Sequence, residues 1–364
     1  MRILVLLSDA FGGFGGIAKF NRDLLKALCS FSEVEEVVAI PRKASETIGE
    51  LPSKLVYITE ALNHKGKYLL TIFKVLYRKS DFDLILCGHI HLLFLAFLVK
   101  SLLGKGQLVL MAHGIEVWRP RHFLTRWAAG QVNVLISVSR FTENQFQKWA
   151  SLRKARPFLL PNSVDLDQFK PGAKRSDLMN RYGLEGKKII MTLARLNASE
   201  RYKGIDEVLE ALPALISEIP DILYLIVGDG TDRKRFERKV QSLNLNKQVI
   251  FAGQISEAEK VDYYRLADVF VMPGRGEGFG IVYLEALASG IPVIGSKRDA
   301  SRETLCEGEL GILVDPDNPK EIQSAIKEAF NKPRNDVSQK LRIFSTDHFN
   351  ESLHQILNEV AGRN

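Results

Sequence analysis

Two carboxylates eight positions apart, Glu277 and Glu285, fall in the stretch GRGEGFGIVYLEALASGIPVI, residues 274–294. Gly276, Gly278 and Gly280 crowd the first, and the second lies about two turns into a helix-like run. The glycines predict a turn after a strand ending at Met272, with a helix starting near Gly280. At such a start the amides of Phe279, Gly280 and Ile281 lack intrahelical acceptors and point outward, open to sugar or phosphate oxygens. Glu277 would sit beside whatever those amides bind. Glu285 could reach a neighbouring polyol such as a ribose, because a carboxylate accepts from vicinal hydroxyls. The plain alternative, a dipole-matched acid and an ordinary surface glutamate, accounts for one of the pair but not both.

Three more loops carry groups of the same kind. LARLNASERYKGID, 193–206, places Arg195 at a strand end and Lys203 eight positions on, just before a helix. Two cations bracketing a loop suit a diphosphate; a solvated basic loop is the plainer reading. MAHGIEVW, 111–118, sets His113 at a strand's carboxyl end, where a neutral imidazole can hydrogen-bond a sugar hydroxyl or simply cap a turn. DAFGGFGGIAKF, 9–20, is a glycine loop between a strand and a helix, and Gly13 to Ala18 fits the G-x-G-x-x-A dinucleotide form. The acid expected after the second strand is replaced by Ile40-Pro41-Arg42-Lys43, which disfavours NAD and leaves NADP as the oxidoreductase alternative.

The elements that must position these loops follow from apolar periodicity. Strands are expected at 2–7, 35–40, 83–87, 107–112 and 134–138, with helices such as 17–30 and 66–80 between them. The rhythm restarts at 187–193, 222–227, 248–251, 268–272, 291–294 and 311–314, separated by helices at 204–218, 231–243, 257–266 and 279–289. This is an α/β pattern of parallel sheets covered by helices. A length of 364 residues suggests two such domains. The connector PNSVDLDQFKPG, 161–172, puts the boundary near 165/166, with a C-terminal helix at about 348–364 expected to return to the first domain. Ligands of open parallel sheets bind at the carboxyl ends of the strands.

Composition narrows the class. Hydrophobic content of 46% and charged content of 26% are ordinary for a globular protein. Three scattered cysteines give neither a disulfide framework nor a metal pattern, which predicts a reducing, cytoplasmic setting. The first apolar run breaks at Ser8-Asp9 and reads as a buried strand, not a signal peptide. The run 84–103 is interrupted by His89, His91 and Lys100, too short to span a bilayer. The net charge of +7 is uneven: residues 1–170 hold 23 Lys/Arg against 14 Asp/Glu, and the rest is slightly acidic. A basic first half favours an anionic partner, such as a lipid surface or diphosphate-linked acceptor; a nucleic-acid role lacks any recognised binding motif. Helix 66–79 is read with Leu69, Ile72, Phe73 and Leu76 as its inward face, as an ordinary domain helix in preference to an interfacial one. WRPRHFLTRW, 118–127, is the candidate acceptor-contacting segment.

Taken in order, Gly15-Gly16-Ile17, His113 in HGIE, PNSVD at 161–165, the Arg195/Lys203 pair, Val227-Gly-Asp-Gly230 and Glu277-x7-Glu285 resemble the GT-B glycosyltransferases of family 4, over about residues 3–315. The resemblance implies two doubly wound Rossmann-like domains facing across a cleft, a UDP-sugar donor held mainly by the second domain, and a glycan or lipid-linked acceptor on the first. It implies that Arg195 and Lys203 hold the diphosphate with Gly15, Gly16 and the helix start at Ile281. It further implies that Glu285 binds the ribose, that Glu277 contacts the transferred sugar beside the Phe279 and Gly280 amides, and that Gly253 and Ile255 touch the base. His113 would lie at the reacting face. Retention at the anomeric carbon without a metal or other cofactor is part of the same implication, as is a role in polysaccharide biosynthesis, cytoplasmic or peripheral on the inner membrane face. A UDP-sugar 2-epimerase of the same fold is the alternative.

Overall fold

The computed structural model describes residues 1–45, 47–334 and 337–362. The chain divides into two compact units, Met1–Ser163 with the C-terminal segment from Thr346, and Val164–Ser345. In the N-terminal unit, the strands are β1 (Arg2–Leu7), β2 (Glu36–Pro41), β3 (Leu55–Tyr57), β4 (Leu84–Cys87), β5 (Gln107–Ala112), β6 (Val134–Ser137) and β7 (Arg156–Leu159). They form one sheet in the order β3-β2-β1-β4-β5-β6-β7, with every pairing parallel. The strands are near-continuous apolar runs because helices cover the sheet. These are α1 (Gly16–Ser30), α2 (Lys65–Arg78), α3 (Leu93–Leu103), α4 (Ile115–Trp118), α5 (Phe123–Ala129) and α6 (Arg140–Gln147).

The C-terminal unit repeats the scheme. Its strands β8 (Lys188–Leu193), β9 (Ile222–Val227), β10 (Val249–Gly253), β11 (Val269–Val271), β12 (Val293–Ser296) and β13 (Ile312–Val314) pair in parallel in the order β10-β9-β8-β11-β12-β13. The intervening helices are α7 (Ser176–Tyr182), α8 (Ile205–Glu218), α9 (Arg233–Ser242), α10 (Lys260–Leu266), α11 (Ile281–Ala288), α12 (Ser301–Thr304) and α13 (Pro319–Phe330). The last helix, α14 (Thr346–Ala361), packs on α1 in the N-terminal unit, where Phe349 meets Phe20 edge-on at 5.6 Å. The final two positions of the C-terminal helix read from sequence lie outside the described residues.

Two strands escaped the sequence reading. Strand β3 has only three residues, and β7 carries Pro157, which its edge position tolerates because one side of the strand needs no donor. The inward face of α2 also differs. Tyr68, Thr71, Ile72 and Val75 are the buried residues, whereas Leu69 and Phe73 are exposed. The rotation follows from Tyr68, whose ring is buried and whose hydroxyl donates to the Ile40 carbonyl at 3.0 Å. A buried tyrosine that satisfies its polar tip outcompetes a leucine for the inward position. Among the described residues no helix is long and apolar enough to cross a membrane.

Candidate active site

The candidate site of the C-terminal unit is built from the strand ends. Strand β9 ends at Val227 and the chain turns at Gly228, where φ is 130° and a Cβ would lie 1.9 Å from the Ala194 carbonyl oxygen. Only a glycine lets that turn pass so close to the loop that follows β8. Gly228 N–H donates to the Gly253 carbonyl at 2.8 Å, so the end of β10 joins the same edge. Ile255 follows two residues later and is half-buried.

The loop after β8 presents Arg195, then a 3₁₀ turn at Ala198–Lys203. Arg195 pairs with Glu200 at 2.7 Å and its side chain remains 64% exposed. The Lys203 ammonium donates to Glu277 Oε2 at 2.5 Å, and both side chains are mostly shielded from solvent. Burial works against the Lys203 charge. Glu277, with Tyr202 and Glu200 behind it, outweighs that penalty and holds the pKa above the ordinary lysine value. Tyr202 stands among Lys203, Glu200, Glu277 and Arg195; burial pushes its pKa up to about 12. Two cations and two carboxylates are therefore gathered around one tyrosine.

Glu277 is clamped through its backbone. Its N–H donates to Asp299 Oδ2 at 2.9 Å, and its carbonyl accepts from the Ala300 N–H at 3.1 Å. Asp299 also accepts from the Ser301 N–H at 3.0 Å and its hydroxyl at 2.5 Å. Helix α11 then starts at Gly280, whose φ of 91° again requires glycine, and where a Cβ would lie 2.4 Å from the Tyr283 ring. At the first turn of α11 the Tyr283 N–H donates back to the Gly280 carbonyl at 3.0 Å, and the amides before it precede any intrahelical acceptor. The Phe279 ring is buried against Phe344 at 5.7 Å and its carbonyl accepts from the Thr304 hydroxyl.

Glu285 is not a surface group. It is fully buried, accepting from the Tyr264 hydroxyl at 2.8 Å and from the Lys260 ammonium at 3.2 Å. Lys260 reaches Glu257 as well, at 2.9 Å. A ribose diol would have to share the Glu285 carboxylate with Lys260 or take it from Lys260. Burial opposes the Lys260 charge, but Glu285 and Glu257 keep its pKa above the ordinary value.

The remaining sequence candidates belong to the N-terminal unit. Gly15 has φ 92°, and neither Gly15 nor Gly16 has an atom within 4 Å of the place a Cβ would occupy, so their backbone is open to approach. His113 Nε2 lies 3.1 Å from the Gly88 carbonyl, and its ring meets Phe20 edge-on at 4.9 Å. A carbonyl only accepts, so Nε2 carries the proton and Nδ1 is left as acceptor. Burial lowers the His113 pKa to about 4, which makes the ring neutral at pH 7.

The structure thus brings Lys203 and Glu277 into contact, Arg195 into their neighbourhood, and Gly280 beside Glu277, while Glu285 is engaged with Lys260 and Tyr264. Sequence reasoning missed Glu200, Lys260, Tyr264 and Asp299. Lys260 and Tyr264 sit four apart on one helix, and Asp299 follows a strand; those were the available signals.

Asp299 gives a pH prediction. Burial raises its pKa from 3.8 to about 6, so the folded chain holds this proton more tightly than the unfolded chain does. Its stabilising contribution is complete below pH 3.8 and is lost as pH rises through about 6. The linked change is about 3 kcal/mol. Asp299→Asn should therefore gain stability relative to the parent between pH 4 and 7, measured by urea unfolding. A parent-minus-variant difference that does not vary with pH would contradict this.

Comparison with known proteins fits this geometry. The profile for Glycosyl transferases group 1 matches residues 174–343, and that for Glycosyltransferase Family 4 matches residues 14–168. A Mycolicibacterium smegmatis protein named GDP-mannose-dependent alpha-(1-6)-phosphatidylinositol monomannoside mannosyltransferase is 33% identical over 243 residues. That match covers 64% of this chain and 63% of the relative, less than two thirds of its length. A Corynebacterium glutamicum protein, named as a GDP-mannose-dependent mannosyltransferase acting on a monoacylated form of the same lipid, is 26% identical over 91% of this chain and 89% of its own. Among solved structures, a sucrose-phosphate synthase from Thermosynechococcus elongatus superposes with a TM-score of 0.78 at 22% identity, covering 100% of both chains. With both halves matched by glycosyltransferase profiles and the architecture shared along its whole length, the chain belongs to the GT-B fold glycosyltransferases of family 4.

Proposed function

We propose that this protein transfers a hexose from a nucleoside diphosphate sugar to a polar lipid or lipid-linked glycan, with retention at the anomeric carbon. The observation that carries the reading is the Lys203–Glu277 pair at the start of α11, with Arg195 alongside. Breaking the anomeric C–O bond places negative charge on the leaving diphosphate and positive charge on the sugar ring. Lys203 and Arg195 are the groups that would offset the first. Glu277, held by Asp299 and Ala300, would meet the sugar hydroxyls. In the retaining chemistry that the family resemblance implies, the acceptor attacks on the leaving-group face and the departing phosphate takes its proton.

GDP-mannose is the donor to test first, in place of the UDP-sugar expected from sequence, because the relatives' names specify it. Phosphatidylinositol and its mannosides are the first acceptors for the same reason. The test incubates the protein with GDP-mannose and phosphatidylinositol vesicles, with UDP-glucose as the comparison donor. We expect GDP release that requires the acceptor, and a lipid product whose mannose keeps the donor's α configuration by NMR. An inverted product would refute retention. Release without acceptor, accompanied by an epimerised sugar, would favour the 2-epimerase alternative.

A further inference from the structure

The turn that presents Lys203 is tied down by charges to which the donor reading gives no role. Arg201, two positions before Lys203, donates from Nε and Nη2 to the two oxygens of Asp232, each at 2.9 Å. Asp232 is buried, with 4% of its surface exposed, and it accepts again from Arg235 Nε at 2.6 Å. Arg235 gives its terminal nitrogens to Asp206, three positions after Lys203, at 2.8 and 2.7 Å. The result is an unbroken chain, Arg201–Asp232–Arg235–Asp206, whose ends bracket Lys203 in the sequence. Lys239, one turn further along α9, also reaches Asp206, at 2.8 Å.

Backbone bonds fasten the start of the same loop to the same place. The Asp232 N–H donates to the Leu196 carbonyl at 2.8 Å, and the Leu196 N–H donates to the Asp229 carbonyl at 3.0 Å. The Ala198 N–H reaches the Thr231 hydroxyl at 3.3 Å. Glycine at position 230 permits the approach, since a Cβ there would lie 2.3 Å from the Leu196 carbonyl oxygen. From Leu196 to Asp206 the loop therefore rests on the turn before α9 and on the first two turns of that helix.

The turn has little else to hold it. None of the residues of the 3₁₀ segment Ala198–Lys203 is buried, so core packing does not fix its conformation. A forked guanidinium–carboxylate pair fixes direction as well as distance, which a single point contact does not. A buried carboxylate is a costly way to fasten a loop unless its partners are in place. Here they are: the Arg201 fork, with Arg235 behind it, holds the Asp232 pKa below the usual carboxylate range against the effect of burial. Displacing a charged group by about 1 Å from its working position is enough to lose most of what it contributes to a bound anion.

We infer that Asp232 is a positioning residue: through Arg201 it sets where the Lys203 ammonium stands for the donor's diphosphate. The inference rests on the reading of Lys203 as a diphosphate-holding group, and its test separates the two. GDP is titrated calorimetrically into the full chain, into Arg201→Ala and Asp232→Ala, and into each of these combined with Lys203→Ala. Either single substitution should weaken GDP binding about tenfold. In the Lys203→Ala background neither should weaken it further, because the group that they place is gone. Arg201→Lys keeps the charge without the fork and should recover only part of the loss. The Arg201 side chain is 54% exposed, so Arg201→Ala should keep the fold and decides the question even where Asp232→Ala does not unfold cooperatively. Equal losses in the two backgrounds would overturn the inference, since Arg201 would then touch the ligand itself or merely support the unit. Parental affinity in Arg201→Ala would overturn it as well. Both outcomes leave the donor reading standing, whereas a Lys203→Ala protein that binds GDP as the parent does would remove that reading and the inference together.

Discussion

Lys203→Ala should lower kcat/KM for the donor by about 100- to 1,000-fold, the loss expected when one preorganised donor to a developing anion is removed. The cause is local. Lys203 is the shielded cation of the pair, already aimed and already desolvated by its surroundings, so little reorganisation is needed as charge builds on a diphosphate. Arg195 is far more exposed and paired with Glu200, so Arg195→Ala should cost less. Lys203→Arg keeps the charge but cannot place a compact ammonium 2.5 Å from Glu277, so it should restore only part of the rate. Steady-state kinetics on the three variants checks the order. Lys203→Ala with the parent's kcat/KM would remove the residue from the site.

Glu285→Ala should destabilise the chain by about 3–5 kcal/mol, because it strips one partner from a buried ion pair and leaves Lys260 uncompensated. The ribose-binding role read from sequence would have this variant lose donor use alone. Full burial of the carboxylate changes the expectation, since Tyr264 loses its acceptor as well. Glu285→Gln retains the volume and an acceptor for Tyr264, so it should unfold at a higher temperature than the alanine variant. Its kcat/KM for donor should still fall, because the neutral amide grips a diol more weakly. Thermal unfolding of both variants, with and without GDP-mannose, separates the two effects. A Glu285→Ala protein as stable as the parent would contradict the buried-pair account.

The signals legible in sequence were those with short range. Glycine turns, strand ends and helix starts are local, so the α/β alternation, the loops bearing Arg195, Lys203 and Glu277, and the start of α11 near Gly280 could be placed from spacing. Partners far apart in the chain could not. Asp299 reaches Glu277 across 22 positions and Lys260 reaches Glu285 across 25. Neither charge carries a mark that says which carboxylate or amide it will find. The face of α2 was ambiguous for a different reason: KYLLTIFKVLYR holds two apolar stripes, and periodicity alone does not say which one the sheet takes. The buried hydroxyl of Tyr68 settles it, and the stripe left over became the outer surface.

The central claim is that a nucleoside diphosphate is gripped by Lys203 and Arg195 through charge alone. Isothermal titration of GDP into the protein in the presence of EDTA tests it directly. The account predicts binding that survives the chelator, weakens with salt, and disappears in a Lys203→Ala/Arg195→Ala variant that still unfolds cooperatively. Binding that needs a divalent ion, or that persists undiminished in the double variant, would contradict it.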